Sequence, residues 1–319
     1  MKAIVVGSAN TDLTIHVDSL PSLGSTEVGF GFKSGAGGKG ANQAVCLSKL
    51  KAETYFIARF GKDDFSSVLL EHIARYGINL SYAVIDEKHR GGVVFIVVDR
   101  TGNNTMIADL GSNMFLDGAD VEHARDAFTG ADLLLLQFEV SHSANLRACE
   151  IASARKTKIV LNPAPVKKFD TSYLKYVDVL THNLFELSQI LYHIEGRVVV
   201  SRDEEDAARV GAAAQRLTAH GVRHILVTMG ARGSIHADVE KIERFGTYRV
   251  KQVDSTGAGD AFTAAFACKF AEGLDVPDAV KYASACAALT VMREGAIPSI
   301  PDGDEVKDFM AKHRFGGFQ

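Results

Sequence analysis

The sequence predicts an α/β fold with a central, mostly parallel sheet and a small β unit standing over one end, and three features carry that prediction. Short continuous apolar runs such as Leu133-Leu134-Leu135-Leu136 have the length and composition of strands buried on both faces. From residue 121 onward these runs alternate with stretches of helical period, the βα alternation that produces parallel sheets. Between residues 83 and 109 strand-like runs instead follow one another without helices, which marks a separate small sheet able to act as a lid.

Residues 2–7 form the first strand. Asn10 and Asp12 follow closely, where open α/β sheets place ligands, although both residue types also form turns. Residues 26–33 are β-prone and lead into a glycine-rich loop, Ser34-Gly35-Ala36-Gly37-Gly38-Lys39-Gly40-Ala41-Asn42, before a helix over 43–50. Gly35, Gly37 and Gly40 match a dinucleotide-binding Gly-x-Gly-x-x-Gly, but that motif belongs after the first strand, with an acidic residue about twenty positions on. Here the first strand ends without it, and Arg59 follows the next strand (53–58). The Walker A pattern fails as well, because Lys33 occupies its first glycine position and Gly40 follows Lys39 where Ser or Thr is required. The glycines, Lys39 and the Asn42 amide suit a polyhydroxylated or anionic small molecule; a tight turn is the plainer reading.

A helix over 64–76 closes at Gly77, and strands are expected at 83–85, 92–99 and 105–109, the last two joined as a hairpin through 100–104. Strands 133–137, 158–162 and 177–181 then alternate with helices near 143–154 and 184–192. Polar residues recur at the strand ends: Glu139 after the first, Asn162-Pro163-Ala164-Pro165 at the second, Asn183 and Glu186 after the third. Each alone could cap a helix, but the carboxyl ends of parallel strands line ligand crevices, so the set points to a site. A long helix over 203–220 precedes a strand at 224–228 and a third glycine-bearing turn, with Gly230 and Gly233, suited to phosphate or nucleotide on its backbone.

A strand over 249–253 is expected to hand over, through Asp254-Ser255-Thr256-Gly257-Ala258-Gly259-Asp260, to a helix over 261–271. N–H groups of Gly257, Ala258 and Gly259 at that helix start would point at one spot, with the positive end of the helix dipole behind them. Asp260 beside them suits an enzyme that deprotonates a hydroxyl while stabilising charge on a phosphoryl group, unless it merely complements the dipole of its own helix. Residues 276–292 are helical, 293–299 form an irregular loop whose carbonyls suit a hard cation, and a last helix spans 302–313.

The chain has 319 residues, 46% hydrophobic and 23% charged, which fits a globular protein with a large core. A net charge of −4 with scattered Lys and Arg argues against a nucleic-acid partner or a membrane-surface helix. Without a signal-like start or an apolar run of ~18 residues, a cytoplasmic protein is expected. Cys46, Cys149, Cys268 and Cys286 form no CxxC pair and read as buried thiols, and the dispersed histidines lack the HExxH spacing of a catalytic metal site.

Taken together, Gly37-Gly38-Lys39-Gly40-Ala41-Asn42, Asn162-Pro163-Ala164-Pro165, Asn183-x-x-Glu186 and Asp254-Ser255-Thr256-Gly257-Ala258-Gly259-Asp260 resemble the ribokinase group of the phosphofructokinase-B family of carbohydrate kinases, over essentially the whole length. The resemblance implies one kinase domain over 1–319, a three-layer αβα ribokinase-like fold with a β lid near 9–34 and 83–110. The implied reaction is ATP-dependent phosphorylation of a sugar, foremost ribose. By position, Asp260 resembles the catalytic base and Gly257, Ala258 and Gly259 the anion hole; Asn10, Asp12, Gly38, Lys39, Asn42 and Glu139 resemble sugar-binding residues. Asn183, Thr228, Gly230 and Gly233 match nucleotide-binding positions, and Glu186 a residue that helps organise Mg²⁺. Asp254, Thr256, Thr290, Arg293, Gly295 and Ser299 resemble a monovalent-cation (K⁺) site, and pairing through the lid implies a homodimer. Two departures stand out. Ser284 occupies a position where a larger side chain often touches the adenine side, and Ala108-Asp109 replaces a bulkier apolar lid residue, which leaves room for a larger acceptor such as fructose or a nucleoside. A non-catalytic sugar or nucleotide sensor is the rival from another class, and the intact Asp260 argues against it.

Overall fold

The computed structural model describes residues 1–100, 104–166 and 169–318. The chain begins with β1 (Lys2–Val6), β2 (Asn10–His16), β3 (Phe30–Gly37), α1 (Lys39–Lys49), β4 (Glu53–Ile57), β5 (Arg59–Gly61) and α2 (Asp64–Ala74). β6 (Val84–Asp86), β7 (Gly92–Val98), β8 (Asn104–Asp109) and α3 (Gly118–His123) follow. The regular alternation then runs β9 (Leu133–Gln137), α4 (His142–Ala154), β10 (Lys158–Asn162), β11 (Val179–Asn183), α5 (Leu184–Glu195), α6 (Ala207–Gln215) and β12 (His224–Thr228). β13 (Ser234–Ala237), β14 (Ile242–Phe245), α7 (Ala258–Ala271), α8 (Val276–Val291) and α9 (Gly303–Lys312) complete it.

Among the described residues, eight strands form the central sheet in the order β14-β13-β12-β11-β10-β9-β1-β4. The pairs from β4 through β12 are parallel, and β13 and β14 add an antiparallel edge. Alternation along each strand splits the core. Ala3, Val5, Leu133 and Leu135 pack with α1, α7 and α8 on one face, and Ile4, Val6, Leu134 and Leu136 with α4 and α5 on the other. A three-layer αβα fold results.

The lid is a second sheet, order β3-β2-β7-β8. Asn10 and Asp12, expected just beyond the first strand and within the lid region near 9–34, lie in strand β2, and the lid strand expected at 26–33 runs instead from Phe30 to Gly37. Residues 34–37, expected as loop, are thus strand, paired with Asn10–Leu13. At Gly37 a Cβ would come within 2.2 Å of the Asp12 carboxylate, so glycine lets that carboxylate sit where it does. Consequently α1 starts at Lys39 rather than at residue 43. The segment expected as a lid strand at 83–85 is β6, which pairs with β5 in a separate two-stranded sheet.

Two further expectations fail. The helix expected over 203–220 begins only at Ala207, where the Asp206 side chain caps it by accepting from Ala208 N–H, and tightens into a 3₁₀ turn after Gln215. No strand forms at 249–253. The N–H groups of Val253 and Asp254 both donate to the Val291 carbonyl, which docks the end of this segment on the end of α8. Part of the turn expected at 100–104 lies outside the described residues.

Candidate active site

The carboxyl ends of the parallel strands, the lid and the start of α7 enclose a cleft of about 520 Å³. β1 leads into Ser8 and Asn10, β9 into Glu139, and β10, β11 and β12 end at Asn162, Asn183 and Thr228. Parallel strands leave their carboxyl ends open for ligands, so residues far apart in sequence converge here. Asp260 lies in the first turn of α7, whose N-cap Gly257 adopts φ +77°, a left-handed conformation that favours glycine. Gly257 and Gly259 line the cleft. Ala258 does not: its N–H closes a turn on the Ser255 carbonyl at 3.2 Å, so it is not one of three free donors as expected.

Asp260 is buried and held from one side. Asn42 Nδ2 donates to its Oδ2 at 2.8 Å and Gln43 Nε2 to its Oδ1 at 3.4 Å. Behind Gln43 stand Gln137, which donates to Gln43 Oε1 at 2.5 Å, and Asn145, which donates to the Gln137 carbonyl at 2.6 Å. This buried amide chain fixes the carboxylate's orientation and was missed from sequence; Gln137 at the end of β9 was the one signal for it. Burial raises the proton affinity of Asp260, with Lys39, Asn42 and Gln43 pulling against it and Glu139 adding to it. A carboxylate with raised proton affinity suits proton transfer from a hydroxyl.

Lys39 and Glu139 share the cleft. Burial alone would lower the Lys39 ammonium, but Asp260, Glu139 and Glu186 together raise it. Glu139 Oε2 accepts from Ser8 Oγ at 2.5 Å, Lys39 N–H at 3.1 Å and Asn10 Nδ2 at 3.4 Å. Asn113, which nothing in the sequence singled out, donates to Asn10 Oδ1 at 2.9 Å. The proton affinity of Asp12 rises to about 7 through burial, reinforced by Glu139 and Asp260. Asn42 Oδ1 is buried without a protein partner among the described residues, on a residue that lines the cleft.

The lid contributes an apolar wall. Asp12, Val94 and Ala108 lie in one row across the strands and line the cleft with Ile96 and Met106. Asp109 is one residue further along β8, so its side chain points to the other face, where it accepts from Gly111 N–H; it adds no acceptor to the cleft.

At the far end, Asn183 and Glu186 form a capping box on α5: Asn183 Oδ1 accepts from Glu186 N–H at 2.8 Å, and Glu186 Oε2 from Asn183 N–H at 2.9 Å. Burial raises the Glu186 carboxyl. Asn183, Glu186 and Thr228 line the cleft, whereas Gly230 and Gly233 lie in the turn just beyond it and Ser284 is buried on α8. His182 also lines the cleft, its proton affinity lowered to about 4 by burial.

Of the residues expected at a cation site, Asp254, Thr256 and Gly295 meet at the 254–257 turn. Asp254 Oδ2 accepts from Gly295 N–H at 2.8 Å and Oδ1 from Thr256 N–H and Oγ1 at 2.9 and 2.7 Å. Burial would raise Asp254, but these bonds hold it below the usual carboxylate range. Ser299 Oγ donates to the Ala296 carbonyl, Thr290 is buried, and Arg293 pairs with Glu305.

The pattern described as "pfkB family carbohydrate kinase" matches residues 1–303. The chain is 33% identical over 307 residues to a ribokinase of Staphylococcus aureus (strain COL), covering 96% of this chain and 98% of that protein. It is 30% identical over 312 residues to a deoxyribokinase of Salmonella typhi, covering 98% and 99% respectively. Among solved structures, Arabidopsis thaliana ribokinase complexed with ribose and ATP superposes with a TM-score of 0.85 at 30% identity, covering 97% of this chain and 98% of that one.

Proposed function

The chain belongs to the pfkB family of carbohydrate kinases, and from that membership we propose that it transfers the γ-phosphoryl group of ATP to the primary hydroxyl of ribose. The observation that carries this reading is Asp260, buried at the start of α7 between the Asn42 amide and a cleft lined with hydroxyl-reading groups. Asp260 takes the hydroxyl proton as the oxygen attacks phosphorus. Gly257 and Gly259 present the positive end of α7 to the transferring group, and Lys39 adds a fixed charge. Asn10, Asp12, Asn42 and Glu139 orient the sugar, while Val94, Ile96 and Met106 exclude water, a competing acceptor.

The nucleotide is assigned to the side of Asn183, Thr228, Gly230 and Gly233. The Glu186 carboxyl, at the cleft wall, suits a hard divalent ion, and Mg²⁺ there would neutralise phosphate charge. The oxygen-rich meeting of Asp254 and Thr256 with the loop bearing Arg293, Gly295 and Ser299 suits K⁺, which would set the geometry of the turn before Asp260. A homodimer through the lid, in the cytoplasm, completes the proposal. Its support is the outer lid face, where Phe32, Phe95 and Ile107 are 65%, 52% and 71% exposed.

A second reading, a larger acceptor, rests on Ala108, whose small side chain lines the cleft across from Val94. ADP release measured over ribose, deoxyribose, fructose and a ribonucleoside decides: ribose should give the highest kcat/KM. Release that ignores added sugar would reject the kinase reading.

A further inference from the structure

The opposite end of the central sheet carries a cluster that phosphoryl transfer does not use. β12 and β13 pair with Ile225 opposite Ala237 and Leu226 opposite His236, a register that continues to His224 across from Asp238. β14 sets Glu243 opposite His236. Because side chains two apart share a face, these groups converge. His224 Nδ1 lies 3.1 Å from His236 Nε2, and Asp238 Oδ2 lies 3.9 Å from that same Nε2. Donor atoms of the three residues all fall within 4.8 Å of one another. A tetrahedral Zn²⁺ with bonds of about 2.0–2.1 Å spaces its ligand atoms about 3.3 Å apart, so small side-chain movements would suffice.

The donors are also aimed. Asp238 Oδ1 accepts from the Glu240 and Lys241 N–H groups at 2.8 Å each, which leaves Oδ2 toward the imidazoles. His236 is 1% exposed, with Nδ1 3.4 Å from Glu243 Oε2, and that carboxylate is itself held by Lys241 Nζ at 2.9 Å. A carboxylate on the far nitrogen of a histidine fixes the tautomer that leaves the near nitrogen free to bind a metal. Burial holds both imidazoles below their usual range, and the neighbouring His236 adds to this at His224. His224 lines a cavity of about 510 Å³ through which an ion can enter.

We propose that His224, His236 and Asp238 bind a divalent transition-metal ion of the zinc class, with Glu243 as a positioning residue for His236. Imidazole donors favour such an ion over Mg²⁺. The ion would clamp the antiparallel edge formed by β12, β13 and β14. His224 and Thr228 stand four residues apart on β12, about 13 Å, so the clamp is separate from the cleft.

The test strips the full chain with a chelator and titrates it with Zn²⁺ in excess Mg²⁺, which fills oxygen-only sites; metal analysis and the visible d–d bands of Co²⁺ report binding. Wild type should hold one ion per chain, and Glu243→Gln should bind about 10–100-fold more weakly. His224→Ala and Asp238→Asn should lose the ion while keeping wild-type circular dichroism and ADP release. Failure of wild type to bind stoichiometrically, or undiminished binding by both ligand variants, would overturn the proposal and leave a plain His–His hydrogen bond.

Discussion

Asp12→Asn should make the ligand-free protein more stable at alkaline pH while weakening its hold on sugar. Asp12 lies in β2 with its carboxylate in the cleft, and burial, then Glu139 and Asp260, raise its proton affinity from 3.8 to about 7. The sign follows from the proton count. The folded chain keeps this proton up to about pH 7, whereas the unfolded chain releases it near pH 4, so the stability due to protonated Asp12 is full below the unfolded value and lost as pH rises through the folded one. About three pH units at about 1.4 kcal/mol each give an upper figure near 4 kcal/mol, which water in the open cleft reduces to about 2–4 kcal/mol. Asparagine keeps the shape without a charge to desolvate. Thermal unfolding between about pH 4 and about pH 8 should show the variant gaining on wild type as pH rises, with the gap closing toward the acid end. A constant offset at every pH would refute the reasoning, because it would mean that Asp12 is ionised in both states. Above about pH 7, where wild-type Asp12 is a carboxylate, the same variant should raise KM for ribose, since the neutral amide reads hydroxyls less strongly than a carboxylate.

Three further outcomes follow from the site. K⁺ should raise kcat relative to a large organic cation, because Asp254 ties the 254–257 turn to Gly295; equal rates in both would reject the cation site. Ala108→Ile should cut turnover of a larger acceptor by ~10–200-fold more than that of ribose if one to three kcal/mol of fit is involved, and an equal loss on both would remove the enlarged-pocket idea. Ile107→Asp, on the outer lid face, should halve the mass found by sedimentation while leaving thermal stability close to wild type; an unchanged mass would place the contact elsewhere.

The glycine strings and strand-end polar residues were legible because each has a local cause: a backbone that a ligand must approach, or a carboxyl end that a parallel sheet leaves open. The apolar runs of β1, β9 and β10 announced themselves for the same reason, being buried on both faces. Other parts had no local signature. Glycines inside β3 disguised a strand as loop; of these, Gly37 clears the Asp12 carboxylate on the neighbouring strand. Residues 249–253 looked like a strand but found no edge to pair with. Gln43, Gln137 and Asn113 act through partners roughly a hundred residues away, as in the Gln137–Gln43 bond, which spans 94 positions. The pairing of His224 with His236 likewise depends on strand register, so spacing rules written for helices overlooked it.

The central claim is that Asp260 is the base of a sugar kinase, and steady-state ADP release by Asp260→Asn with saturating ribose and ATP tests it most directly. The substitution preserves shape and removes the proton acceptor, so kcat should fall by ~10²-fold or more, about 3 kcal/mol of barrier, with the melting temperature no lower than that of wild type. A correctly folded variant with near-wild-type kcat would contradict the account.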